Sequence, residues 1–212
     1  MDGIKVNVMR PFGPSILHAK IPEETVNILN KYVEDIIENQ KKSNELNHGD
    51  NLVGHVTQEF RIEEEIAKKS GWIEFISNCV KFWISKDLKK NISKLDIRSS
   101  WIVRQFQNEY NPTHWHSGHI SGAGFLKVPT TWGEHIQSKN QNYQGGRLQL
   151  IHGSRMFLSP STFNIIPKVG DFYFFPNYLM HTVFPFSGTK EERRSISFNA
   201  VIDENLYNVY TK

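Results

Sequence analysis

From about residue 95 onward the chain repeats one pattern, short runs of alternating or aromatic residues closed by glycine or proline. The runs are Ser100–Gln107, Ile120–Val128, Arg147–His152, Asp171–Phe175, His181–Phe184 and Ser195–Val201. Between them lie Gly118, Gly133, Gly145-Gly146, Gly153, Pro160, Pro167, Gly170, Pro176 and Gly188. Side chains along a strand alternate between two faces, so runs this short, broken this regularly by turn formers, specify an antiparallel sandwich or barrel. A parallel sheet needs a helix between successive strands, and here the helical patterns stand apart, ahead of residue 95.

That earlier region opens with two strand pieces, Val6–Met9 and Ser15–Ala19. Pro22 then occupies a position that a first helical turn tolerates, and Glu23 and Glu24 suit the positive end of a helix. Val26, Leu29, Val33, Ile36 and Ile37 follow at helical spacing, which predicts an amphipathic helix over 22–40. Residues 41–58 read as a polar surface loop and Ile62–Lys69 as a short helix. A second long helix over 72–85 carries Trp72, Phe75, Ile76, Cys79, Val80 and Trp83, more than one apolar stripe, and is expected to be buried against a sheet. Without a linker, repeat or low-complexity tract, residues 1–212 read as one domain. In it, 1–94 supply a strand and supporting helices and 95–212 the catalytic core, a mainly β protein of the α+β class.

Charge narrows the choice of partners. Lys+Arg 25 against Asp+Glu 22 leaves +3, spread along the chain, which argues against a nucleic-acid arm or a polybasic membrane anchor. One cysteine, Cys79, excludes an internal disulfide framework and a cysteine-based zinc or iron–sulfur site, and it reads as a core residue of the second long helix. The opening Met1–Lys5 lacks a signal-type apolar stretch, and no run reaches the ~18 apolar residues that a membrane span requires. A reducing cytoplasm is the expected compartment.

Three of the nine histidines fall within six residues, in Tyr110-Asn111-Pro112-Thr113-His114-Trp115-His116-Ser117-Gly118-His119. On an extended backbone residues two apart share a face, so His114 and His116 can grip one metal ion, and imidazole suits iron, zinc, copper and nickel. His116 with His119 is the alternative pair. By itself His-x-His is also compatible with polar histidines at a strand end. The last strand is more informative. Arg193, Ser195, Ser197 and Asn199 share one face, and Arg194, Ile196, Phe198 and Ala200 the other. A wholly polar face on a core strand is tolerated where it lines a wet ligand cavity. Arg193 with Ser195 places a planar guanidinium beside a hydroxyl, a good pocket for a carboxylate.

The order Tyr110-x3-His114-x-His116, Gly145-Gly146-x-Leu148, Pro167-x2-Gly170-Asp171-x3-Phe175-Pro176, His181-x-Val183-x-Pro185 and Arg193-x-Ser195 resembles the iron(II)/2-oxoglutarate-dependent dioxygenases. Within them it is most similar to the prolyl-hydroxylase-like proteins of marine phages and bacteria. The resemblance covers about residues 95–202. It implies a distorted double-stranded β-helix, a jelly-roll barrel of about eight strands, with the helices packed on one sheet. It further implies Fe(II), 2-oxoglutarate and O2 as cofactors, with His114, His116 and His181 as metal ligands. Arg193 would anchor the far carboxylate of 2-oxoglutarate, with Ser195 as helper hydroxyl. The implied reaction is hydroxylation of an unactivated C–H, of a small molecule or a peptide, with release of succinate and CO2. A phage-encoded member would act in its host's cytoplasm. The departure is His116, where most of the family carries Asp or Glu; a neutral imidazole there removes one negative charge.

Further expectations depend on strand register, which inverts if it slips by one residue. Asn199, Arg104 and Tyr173 are candidates to point inward toward the co-substrate. Gly122 and Gly124 leave one strand face bare, either as room for the co-substrate or for close sheet packing. Trp115 is expected to pack outward at the barrel rim, and the loops 41–58 and 133–146 are candidate lids. Two competing readings of the histidines are a cupin-like three-histidine metal enzyme that works without 2-oxoglutarate, and a non-catalytic binding barrel.

Overall fold

The computed structural model describes residues 5–9, 13–49, 53–133 and 143–208. Along the chain these form β1 (Val6–Met9), β2 (Ile16–Lys20), α1 (Glu23–Ile37), α2 (Gln40–Glu45), β3 (Gln58–Arg61), α3 (Glu64–Lys69), α4 (Trp72–Leu88) and β4 (Leu95–Gln105). They continue with β5 (Asn111–His114), β6 (Ile120–Lys127), β7 (Leu148–Ile151), β8 (Thr162–Ile165), β9 (Asp171–Pro176), β10 (Met180–Val183), β11 (Arg193–Ile202) and α5 (Glu204–Tyr207).

Two sheets result, a seven-stranded one in the order β1-β2-β9-β6-β11-β4-β3 and a four-stranded one in the order β5-β10-β7-β8. Adjacent strands run antiparallel throughout. Between residues 95 and 202 there are eight strands among the described residues, as the jelly-roll reading implies. The sheets remain separate and do not close into a barrel. The segment ahead of residue 95 also does more than support the core: β1, β2 and β3 extend both edges of the larger sheet.

The larger sheet has two chemically different faces. Its outer face carries Ile196, Phe198 and Ala200 of β11 with Phe172 and Phe174 of β9, and these pack with Val26, Leu29, Val33 and Ile36 of α1 and Trp72, Phe75, Ile76, Cys79 and Val80 of α4. Full burial of such side chains contributes about 1.5–3 kcal/mol each. Rings interlock here at close range, with Phe172 edge-on to Trp72 at 5.3 Å and to Phe75 at 5.8 Å. Gly122 and Gly124 belong to this face. A Cβ on Gly124 would lie 2.7 Å from the Asp171 carbonyl and collide with the Phe172 ring, so these glycines serve close sheet packing rather than co-substrate room. A second apolar cluster joins the sheets, with Phe125, Tyr173 and Phe175 of the larger sheet against Leu148, Leu150, Ile165 and Val183 of the smaller.

Helix α1 begins right after Pro22, with Glu23 and Glu24 in its first turn, and α4 runs three residues past its expected end. The polar loop expected over 41–58 is corrected in part. Asn39 caps α2 by accepting from the Lys42 backbone N–H at 3.1 Å, and isolated bridges tie Asn47 to Phe60 and His55 to Tyr110. Residues 50–52 and most of the loop 133–146 lie outside the described residues, so the lid expectation for 133–146 does too. No helix among the described residues is long and apolar enough to cross a membrane.

Candidate metal and co-substrate site

The inner face of the larger sheet and the start of the smaller one enclose a cavity of about 570 Å³. The histidines stand at its heart. Antiparallel pairing of β5 with β10 sets His114 directly opposite His181, and their rings lie 4.2 Å apart. His116 arrives differently from the strand-pleat expectation, because β5 ends at His114. The chain beyond is pinned to the β9–β10 turn by Asn177. The His116 N–H donates to the Asn177 carbonyl and the Asn177 side-chain amide donates to the His116 carbonyl, both at 3.0 Å. That clamp turns the His116 ring back to 5.0 Å from His114 and 4.8 Å from His181.

One nitrogen from each of the three rings falls within 4.8 Å of the others. The His114 Nδ1 lies 2.7 Å from the Pro112 carbonyl and the His181 Nδ1 2.9 Å from that of Leu179. A carbonyl can only accept, so each Nδ1 carries the proton and each Nε2 lone pair is left for a ligand. The Nε2 atoms of His116 and His181 are 3.0 Å apart, facing each other. All three imidazoles are held neutral. Burial lowers His114; burial and then the neighbouring His114 bring His116 down to about 4; burial, His114 and His116 push His181 well below its ordinary value. Neutral, converging, tautomerically oriented imidazoles fit a divalent first-row metal ion. His119, the alternative ligand, is turned away. Its ring stacks on Tyr207 at 3.8 Å, its Nδ1 accepts from the Ile202 N–H, and its Nε2 lies 3.3 Å from Glu204.

On the same cavity β11 presents Arg193, Ser195, Ser197 and Asn199, the polar face read from the alternation. Arg193 is 2% exposed. Its guanidinium donates to the Gly146 carbonyl at 3.0 Å and to Ser195 Oγ at 3.2 Å and lies over the Phe125 ring. No carboxylate pairs with it among the described residues, and burial brings its pKa down to about 9. Asn199 accepts from Ser121 Oγ at 2.8 Å. Arg194, next along, is fully buried on the opposite face, where it donates to Glu192 at 2.7 and 2.9 Å, to Glu34 at 2.7 Å and to Asn30 at 3.0 Å.

Two sequence candidates lie away from the cavity. Arg104 sits opposite Arg194 across the ladder and donates to Glu192 at 2.8 and 3.1 Å and to Gln58, so it belongs to the ion-pair network on the helix side. Tyr173 points between the sheets but is stacked on His18 at 4.6 Å within the apolar cluster. Trp115 is 65% exposed and lines the cavity mouth. Sequence reasoning did not single out Ser99, Trp101, Val103, Glu59, His48 or Asn111, all of which line the cavity. The first three alternate along β4, a signal that was available.

Two facing antiparallel sheets, three converging imidazoles and a buried arginine open to one cavity make a candidate metal centre with an anion site beside it. Residues 99–199 match the family model of putative 2OG-Fe(II) oxygenases. The matched family implies Fe(II), 2-oxoglutarate and O2 as cofactors, and the three-histidine cluster fits iron. Among solved structures, the chain is similar to a Pseudomonas putida prolyl-4-hydroxylase (13% identity, TM-score 0.58, covering 94% of this chain and 91% of that one). It is also similar to the prolyl hydroxylase from Trichoplax adhaerens in complex with a hypoxia-inducible-factor peptide fragment (13% identity, TM-score 0.53, 100% and 89%). A third is a non-haem α-ketoglutarate-dependent epimerase from nogalamycin biosynthesis (11% identity, TM-score 0.58, 88% and 76%). At these identities the likeness establishes the fold. No curated protein matches the chain by sequence.

Proposed function

We propose that the chain is a hydroxylase in which His114, His116 and His181 hold Fe(II) and Arg193, assisted by Ser195, anchors the distal carboxylate of 2-oxoglutarate. The observation that carries this reading is the buried Arg193 guanidinium, without a carboxylate partner among the described residues, on the same cavity as the histidines. A buried cation costs several kcal/mol unless an anion meets it, and a dicarboxylate co-substrate supplies that anion. When bound, Fe(II) with 2-oxoglutarate and O2 supplies oxidation of an unactivated C–H: one oxygen atom goes to the substrate, the other into succinate, and CO2 leaves.

The chain's own residues bind, orient and shield. The Pro112 and Leu179 carbonyls hold two imidazoles in the tautomer that presents Nε2. Asn177 sets the position of His116, and Ser195 fixes one edge of the guanidinium. Asn199, held by Ser121, lines the cavity wall beside them. Trp115 at the mouth limits entry of water, which guards against unproductive turnover. Buried Cys79, its thiol pushed up to about 12 by burial, is inert, in keeping with a cytoplasmic enzyme that needs no disulfide. The test is stoichiometric: Fe(II)-loaded protein supplied with 2-oxoglutarate and O2 releases succinate, and His181→Ala does not. Metal-loaded protein that neither binds 2-oxoglutarate nor forms succinate would refute the proposal.

A further inference from the structure

One acidic group on the cavity wall has no task in the chemistry above. Glu59 is 3% exposed, yet among the described residues no hydrogen-bond donor and no cation contacts its carboxylate. It lines the same cavity as the histidines. Beside it, the Asn111 Oδ1 is buried and likewise without a partner. Both oxygens converge on Gly54, where a Cβ would collide with Asn111 Oδ1 and lie 3.0 Å from Glu59 Oε1. Two acceptors thus meet in one corner with no donor between them. A buried acceptor left unsatisfied, as Asn111 Oδ1 is, costs about 1–3 kcal/mol, and a site that keeps such a cost is fitted to a ligand that removes it.

We propose that Glu59 and Asn111 form the recognition end of the cavity for a substrate bearing a cationic N–H donor, an ammonium or a guanidinium. The assignment rests on the hydroxylase reading and specifies its substrate class. Register places this corner. Glu59 stands opposite Val103, and Val103 opposite Ser195, so the carboxylate shares an inter-strand row with the co-substrate hydroxyl, two strands away. At about 4.8 Å per strand that is roughly 10 Å. Asn111 opens β5, three residues before His114, again roughly 10 Å of extended chain. A cation seated there would present a carbon several bonds away to the metal position, the reach of a lysine or arginine side chain or a small diamine. Trp101, whose ring is 5.6 Å from that of His116, lines the path between the two ends and offers a face to an organic cation. Burial, then the neighbouring Glu109, raise the Glu59 carboxyl to about 7, so a cation seated beside it would favour loss of its proton.

The test titrates L-arginine against L-citrulline, and L-lysine against L-norleucine, into the whole protein with and without Mn(II) and 2-oxoglutarate, following binding by calorimetry. The cationic member of each pair should bind at least tenfold more tightly than its neutral counterpart. Glu59→Gln should remove that difference while leaving 2-oxoglutarate affinity within about twofold, which separates this proposal from the hydroxylase reading. Equal binding of charged and neutral members overturns it, as does binding of none, or discrimination that survives Glu59→Gln. An Asn111 amide turned over to donate to Glu59 would also overturn it, and would appear as a lower melting temperature in Glu59→Gln.

Discussion

Arg193 and Arg194 are adjacent, equally charged and both buried, so a comparison of their truncations isolates what placement does. Among the described residues Arg193 donates only to the Gly146 carbonyl and Ser195 Oγ. A guanidinium–carboxylate pair that is partly desolvated loses about 2–5 kcal/mol on truncation, and each ~1.4 kcal/mol is tenfold in affinity. Arg193→Ala should therefore raise the dissociation constant for 2-oxoglutarate by ~30-fold or more. Removing a cation that lacks an anionic partner should cost the fold little, and Arg193→Met, which keeps the volume, should melt at or above the parent temperature. Arg194 is the reverse case. Alternation alone makes it a rim charge, but it is buried and donates to Glu192, Glu34 and Asn30. Although burial opposes it, hydrogen bonds from Arg104 and Arg194 hold the Glu192 carboxyl near about 2. Breaking a buried pair by removing one partner costs roughly 3–5 kcal/mol, which for a chain of this size lowers the melting temperature by roughly 10 °C. The folded fraction of Arg194→Ala should still bind 2-oxoglutarate within about threefold of the parent. Isothermal titration of 2-oxoglutarate into Mn(II)-loaded protein, paired with thermal melts, measures both axes. Weaker binding in folded Arg194→Ala than in Arg193→Ala would refute the argument, since it would require the opposite face of β11 to meet the ligand.

His181→Ala should abolish binding of about one Mn(II) or Co(II) per chain, read by paramagnetic resonance or metal analysis; retained stoichiometric binding would move the site elsewhere. Gly124→Ala should destabilise by about 1–3 kcal/mol through overpacking, because the added methyl meets the Asp171 carbonyl and the Phe172 ring, and a chemical-denaturation midpoint equal to the parent's would contradict this. Glu59→Gln should stabilise the protein near neutral pH. A carboxyl raised from 4.5 to about 7 costs at most about 3.5 kcal/mol at ~1.4 kcal/mol per pH unit. The folded form holds the proton more tightly than the unfolded one, so this cost is absent below about 4.5, grows between there and about 7, and is complete above. Glu109 beside it, with Glu45, His48 and Arg61 on the same cavity, sets the local charge. Melting-temperature differences between parent and Glu59→Gln that fail to shrink from pH 7 to pH 5 would contradict the assignment.

How much of this was legible in the sequence depends on the range of the interaction involved. The two faces of β11 were readable because ten consecutive residues obey one period, and Ile196, Phe198 and Ala200 do meet the helices while Arg193, Ser195 and Ser197 meet the cavity. Period two assigns a face but not what lies beyond it. The period places Arg194 on the helix-facing side of the sheet but does not show its partners, since the Glu34 and Glu192 carboxylates meet its guanidinium only in the folded chain. The same limit applies to Arg104, whose partner Glu192 is 88 residues away. Tyr173 differs in kind: it points inward as a strand residue can, yet His18 from β2 stacks over it.

The acid corner shows why a short, polar edge strand escapes sequence reading. β3 has four residues, Gln58 to Arg61, of which Phe60 alone is apolar, so neither an alternating pattern nor a turn signal marks it off from the polar loop before it. Its place at the sheet edge comes from pairing with β4, a long strand able to template a weak one through backbone hydrogen bonds. Such a strand contributes little packing of its own, and its inward-facing side chain is correspondingly free to carry chemistry instead of core. The three histidines and Arg193 lie inside residues 99–199, where the family model applies, whereas Glu59 lies outside that span. Parts of the site serving the common reaction would then sit within the shared strands, and the part discriminating among substrates on an added edge. That division accounts for why the resemblance named the candidate metal and co-substrate residues and was silent about Glu59.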